Sequence, residues 1–152
     1  MSEHRTRIEW QRTGDDFSLA SFSRNHEVSF GTGQSLKLSA TEEYRGDANR
    51  VNPEELLVSA LSSCHMMTFL ALAARGGLLV DQYSDDAVGY LEKDGGGRLA
   101  VTRVILRPRV RFGSSKPAPE ELRALHERAH RGCFIANSVK TEVHVELSEE
   151  HS

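Results

Sequence analysis

The segment from Pro53 to about Arg75 limits the possible folds more than any other part of the chain. Leu56, Leu57, Val58, Leu61, Met66, Met67, Phe69, Leu70 and Leu72 fall on nearly every side of a 3.6-residue helix. The start is well marked: Asn52 suits the N-cap, Pro53 the first helical position, and Glu54 and Glu55 the positive end of the dipole. Gly76 suits the stop. Such a helix is about 33 Å long. A helix apolar all round is either buried or membrane-spanning. Ser59, Ser62, Ser63, His65 and Thr68 interrupt it, which favours a buried central helix and no membrane span. A chain of 152 residues holds one core, so a single domain over residues 1–152 is expected. A core that small can hardly cover this helix alone, and a homodimer that buries one face is the expected remedy.

The flanking sequence reads as strands. Ile8 and Trp10, Phe17 and Leu19, Val28 and Phe30, and Leu36 and Leu38 keep a two-residue period before the helix. Gly14-Asp15-Asp16 and Gly31-Thr32-Gly33-Gln34 supply turns, which predicts an antiparallel meander. Residues 41–51 are polar and read as a loop. After the helix, Val88 and Tyr90 mark one strand and residues 100–112 another. Pro117 to Gly132 reads as a second helix with Leu122, Leu125 and Ala129 on one face. Val139, Thr141, Val143, Val145 and Leu147 then alternate with Lys140, Glu142, His144 and Glu146. The order predicts an α+β fold, with antiparallel sheet against helices.

Composition removes several functions. Hydrophobic residues are 38% and charged residues 27%, which describes a folded chain. A net charge of −3 lacks the broad basic surface of a nucleic-acid binder. Two cysteines are too few for a secreted disulfide scaffold or a four-cysteine zinc site. The polar start, Met1 to Arg7, has no signal-peptide pattern, so a cytoplasmic location is expected. In that compartment two cysteines are either inert buried thiols or a redox pair.

Each candidate residue also has an ordinary reading. Cys64 lies mid-helix, where a cysteine is commonly a small core residue. Cys133 follows Gly132, where the helix break could expose it. His126, His130 and Cys133 are spaced to share a helical face, and Cys64 could complete a metal site, but the spacing alone is weak and no metal is expected. Arg24, Arg45 and Glu54 are ordinary surface types. Beside a thiol, however, a guanidinium favours the thiolate, and a carboxylate can fix the guanidinium through a bidentate pair.

Two motifs carry a family resemblance. Asn52-Pro53-Glu54-Glu55-Leu56-Leu57, followed by Ala60-Leu61-Ser62-Ser63-Cys64, resembles the long helix of the osmotically induced protein C and organic hydroperoxide resistance (OsmC/Ohr) family. Cys133-Phe134-Ile135-Ala136-Asn137-Ser138-Val139 resembles that family's second cysteine segment. The resemblance implies an OsmC-like fold, with sheets around a long helix in an intertwined homodimer. It implies a thiol-dependent peroxidase that reduces organic hydroperoxides to alcohols in oxidative stress defence.

By the same resemblance Cys64 is the peroxidatic cysteine, Cys133 the resolving one, and Glu54 the family's glutamate. Arg24 matches the arginine of the Ohr branch and Arg45 that of the OsmC branch, with Arg24 preferred. A lipoyl-type dithiol is the implied reductant, and no bound cofactor is required. Two departures mark a side branch: Phe134 stands where proline is usual, and His65 where an apolar residue is common. Glu54 and Cys64 are ten residues apart, about 15 Å along a straight helix. The site therefore needs either a helix break near Ser62-Ser63 or residues from a partner chain, and the second is expected. A non-catalytic OsmC-like protein that holds a hydrophobic ligand is the alternative.

Overall fold

The computed structural model describes residues 1–113 and 115–148. The chain divides into two compact units, Met1–Leu56 and Leu57–Ser152. In the first unit, β1 (Thr6–Glu9), β2 (His26–Phe30) and β3 (Ser35–Leu38) form a three-stranded antiparallel sheet in that order. Val28 and Leu38 are its buried side chains.

The strand expected at Phe17–Leu19 is absent, because the chain there folds back on itself. Ser21 and Phe22 amides both donate to the Ser18 carbonyl, at 3.1 and 2.9 Å. The apolar residues of this loop stack instead: Trp10, Phe17 and Phe22 form a three-ring cluster with centroids 5.7–6.4 Å apart. Trp10 Nε1 donates to the Ser23 carbonyl at 2.7 Å. A two-residue period in an aromatic loop thus imitated a strand.

The polar segment that follows holds a short 3-10 turn, Glu42–Tyr44, closed by Arg45 in the left-handed region at φ 62°. Beside it Gly46 packs so closely that a Cβ would lie 1.6 Å from the Ala40 carbonyl oxygen. At the end of the segment Asn52 and Glu55 form a reciprocal capping box. Glu55 N–H donates to Asn52 Oδ1 at 2.9 Å, and Asn52 N–H to Glu55 Oε2 at 3.1 Å. Helix α1 (Pro53–Arg75) starts there and runs unbroken, as its caps predict.

The second unit packs α1 against sheet and helix. Only one stripe of α1 is fully buried, Leu61, His65, Phe69 and Ala73, each four residues from the next. By length and hydropathy alone α1 could cross a membrane. The stripe instead enters two apolar clusters. Phe69 and Ala73 pack with Val110, Leu122, Leu125 and Ala129, while Leu61 packs with Val104 and Leu106.

Four strands follow α1: β4 (Val80–Asp85), β5 (Val88–Lys93), β6 (Leu99–Leu106) and β7 (Pro108–Phe112). β4 was not legible as a strand, since its sequence is mostly polar. The expected single strand over residues 100–112 is two. Pro108 has no amide hydrogen and restricts Arg107, so the ladder stops there. The Arg107 amide donates to Asp85 Oδ1 at 2.6 Å instead. β7 then pairs with β4, and β6 with β5, both antiparallel.

α2 (Pro119–Gly132) ends at Gly132 as expected but starts two residues later than Pro117, with Ala118 as its N-cap, and β8 (Glu142–Val145) follows. β8 runs parallel to β6, an exception to the antiparallel pattern. The path through β7 and α2 supplies the long crossover that a parallel pair needs.

Gly46→Ala should destabilise the first unit, because the added methyl meets backbone and not a movable side chain. A loss of roughly 1–3 kcal/mol is expected for such overpacking. It should appear as a lower denaturation midpoint, and an unchanged midpoint would contradict the close approach.

Candidate active site

The two thiols come from opposite ends of the second unit's sequence, and the fold brings them together. Cys64 lies half-buried on α1, one residue before His65 of the buried stripe. Its carbonyl accepts a hydrogen bond from Thr68 Oγ1 at 2.9 Å. Cys133 caps α2 in extended conformation, and its amide donates to the His130 carbonyl at 3.2 Å. Its side chain is 1% exposed. The Cys133 thiol interacts directly with that of Cys64, side chain to side chain. Both cysteines are free.

Burial pushes the Cys133 thiol up, and the neighbouring Cys64 adds to the rise. Backbone amides oppose it: Ala136 N–H donates to Cys133 Sγ at 3.4 Å, and Ile135 contributes in the same sense. Cys133 is thus a protonated, shielded thiol at neutral pH. Phe134, next in the chain, is 80% exposed.

Arg24, Arg45 and Glu54 belong to the first unit. Arg24 and Arg45, the alternative arginines, converge on one atom. Arg24 Nη2 donates to the Leu19 carbonyl at 2.7 Å, and Arg45 Nη1 donates to the same oxygen at 3.1 Å. Arg24 Nη1 also donates to the Phe22 carbonyl at 2.5 Å, and its guanidinium lies 3.6 Å from the centre of the Phe22 ring. Glu54 is half-buried in the first turn of α1. Because α1 is continuous, no break near Ser62-Ser63 shortens the path from Glu54 to Cys64.

A histidine pair beside the thiols was not foreseen. His65 Nε2 and His126 Nδ1 are 3.0 Å apart, which joins α1 to α2. The rings are parallel, with centroids 5.4 Å apart, and Phe69 stacks on His126 at 4.3 Å. Both histidines are at least 98% buried, at 1% and 2% exposure. Burial, with His130 nearby, lowers the His65 value to about 4, although Asp85 opposes this; burial, then His65, lowers His126 to about 3. Both are neutral at pH 7. Their positions carried the signal: His65 is four residues from Leu61 and from Phe69, and His126 four from Leu122, so each sits on an apolar stripe. Among the described residues no group of three or more His, Cys, Asp or Glu side chains is placed to hold a metal ion. His126 turns Nδ1 to His65 rather than joining Cys133 in a shared ligand set.

The fold has close counterparts. Residues 46–148 match the family model described as OsmC-like protein. The fold agrees with a solved OsmC-like protein of unknown function from Vibrio cholerae at a TM-score of 0.93 and 44% identity, over 97% of this chain and 100% of that one. The organic hydroperoxide resistance protein OhrB of Bacillus subtilis shares the fold at a TM-score of 0.67 and 15% identity, over 96% and 98% of the two chains. The uncharacterized protein YmaD of Bacillus subtilis is 24% identical over 112 residues, which cover 72% of this chain and 74% of YmaD. The fold is that of the OsmC/Ohr class of α+β proteins. The chain belongs to the OsmC-like family.

The histidine pair makes the fold acid-sensitive. Both folded values lie below the ordinary 6.5, so below that pH the unfolded chain binds protons that the folded chain refuses. Stability should hold above pH 7 and fall as pH drops from about 6.5 toward the folded values, by up to about 1.4 kcal/mol per pH unit for each histidine. Denaturation midpoints between pH 7.5 and 5 measure this. His65→Phe with His126→Leu should flatten the slope, and an equally steep slope in that variant would refute the assignment.

Proposed function

We propose that this protein is a cysteine-based organic hydroperoxide reductase. The observation that carries the reading is the meeting of Cys64 and Cys133, the chain's two cysteines, from separate helices. Family membership supports it, since relatives include proteins described as organic hydroperoxide resistance proteins.

The chemistry divides between the two sulfurs. Cys64 thiolate attacks the terminal oxygen of ROOH, and the O–O bond breaks. The alkoxide takes a proton and leaves as ROH, and Cys64 remains as sulfenic acid. Cys133 loses its proton and attacks Cys64 Sγ, forming the S–S bond while the sulfenic oxygen leaves as water. A dithiol of lipoyl type then exchanges with the disulfide, becomes oxidised itself and returns both thiols. Arg24 or Arg45 would stabilise the Cys64 thiolate, and Glu54 would anchor that guanidinium.

The assembly we propose is a homodimer. Outside its buried stripe α1 keeps apolar side chains with little cover, Met67 at 64% exposure among them. A second copy would cover them and could supply the arginine and glutamate to Cys64. Light scattering should give twice the 16.9 kDa chain mass. A fully active monomer would overturn the shared site.

The central test is peroxide consumption with a dithiol. Wild type should turn over cumene and tert-butyl hydroperoxides, and Cys64→Ser should lose all turnover. Cys133→Ser should consume one equivalent and stall as the sulfenic acid. No turnover by wild type under reducing conditions would sink the proposal, and binding of apolar ligands without consumption would then favour the non-catalytic alternative. A second outcome follows from Cys133's burial: disulfide formation after a single peroxide pulse should accelerate as pH rises, because the attacking sulfur must first deprotonate. Stopped-flow fluorescence between pH 7 and 9 reads this rate, and a flat profile would contradict it.

A further inference from the structure

A cavity of about 410 Å³ is lined by residues of α2 and by the β8 segment, and neither Cys64 nor Cys133 is among its lining residues. That volume lies in the usual range for small-molecule sites, roughly 300–1,000 Å³. Its two walls differ in chemistry. Val143, Val145 and Leu147 supply one apolar wall, the inward parity of the last strand. Arg123, His126 and His130 supply a polar wall, at spacings of three and four along α2.

The polar wall has unmet hydrogen bonds. His126 is 98% buried and spends Nδ1 on His65, leaving Nε2 without a partner. His130 Nδ1 is likewise buried and unpartnered. Buried polar atoms in folded proteins are nearly always satisfied, so two such atoms on residues that line one cavity point to a missing partner.

We propose that this cavity binds a small organic monocarboxylate with an apolar body. The carboxylate accepts from His126 Nε2–H and from His130, and faces the Arg123 guanidinium; the body lies on Val143, Val145 and Leu147. Glu127 lines the same cavity, and its charge disfavours a second negative group on the ligand, which selects a monoanion over a dianion. His144 also lines it and has Glu142 Oε2 at 3.3 Å from its Nε2.

Binding has a consequence for the proton between the histidines. Both rings are neutral, so a single proton lies between His65 Nε2 and His126 Nδ1. An anion at His126 Nε2 requires the hydrogen there. His126 Nδ1 is then bare, the shared proton sits on His65 Nε2, and His65 Nδ1 becomes an acceptor. The ligand thus sets one tautomer across both helices.

The test uses the full chain, with benzoate and octanoate as probes. Calorimetry should show saturable binding, one per chain, with succinate and benzyl alcohol each weaker by about tenfold or more, as loss of charge-assisted recognition implies. Arg123→Ala, a surface change on a folded helix, should weaken benzoate by a similar factor. Nitrogen-15 NMR of the histidine rings should move His126 to its Nε2–H form on addition of benzoate. Absence of saturable binding by either acid overturns the proposal, as does binding indifferent to Arg123→Ala. Cys64→Ser should bind as wild type does. Loss of binding in that variant would place the acid at the thiols and refute this cavity, whether or not the protein reduces peroxides.

Discussion

The stripe Leu61, His65, Phe69 and Ala73 organises the second unit. A spacing of four residues places these side chains in one line along α1, and that line meets α2, β6 and β7 at successive levels. Leu61 reaches the Val104 and Leu106 level, and Phe69 and Ala73 reach the α2 level. His65 falls between, and its hydrogen bond to His126 ties the helix bearing Cys64 to the helix ending at Cys133. A polar contact at the middle of an apolar seam also sets register, because sliding either helix would leave both rings unpaired in the core. The thiols therefore belong to the two helices that this hydrogen bond joins.

Much of this was legible in the sequence, for identifiable reasons. α1 and α2 were readable because caps are local: Asn52 with Glu55, and Pro119 and Gly132, announce ends without reference to the rest of the chain. The last strand was readable because its alternation is strict, and the odd-numbered residues from Val139 to Leu147 are the less exposed ones. The partnership of Cys64 and Cys133 followed from family resemblance and not from spacing. What escaped were features decided by distant partners. Phe17 and Leu19 alternate like strand residues, yet ring packing with Trp10 claims that loop. β4 has no apolar pattern of its own and exists because β7 pairs with it. The parallel arrangement of β8 depends on a crossover that no window of residues displays.

The histidine pair shows the same limit at the site. His65 was visible as a departure from the family pattern, and His126 as a polar residue beside an apolar stripe. Each alone reads as a tolerated exception. Only the crossing of α1 with α2 turns two exceptions into one hydrogen bond, and their neutrality follows from burial, which a sequence does not state.

The grip of Arg24 and Arg45 has a consequence for how this protein can vary. Both guanidinium groups hold main-chain oxygen, that of Leu19, and Arg24 also holds that of Phe22. The Leu19 side chain itself is 78% exposed and takes no part. Residue 19 is thus read by its peptide and not by its identity. Substitutions there can accumulate without disturbing either arginine, and genetic drift at that position carries no information about the importance of the contact. Chemical replacement of the peptide by an ester, which weakens the carbonyl as an acceptor, reaches what side-chain mutagenesis cannot.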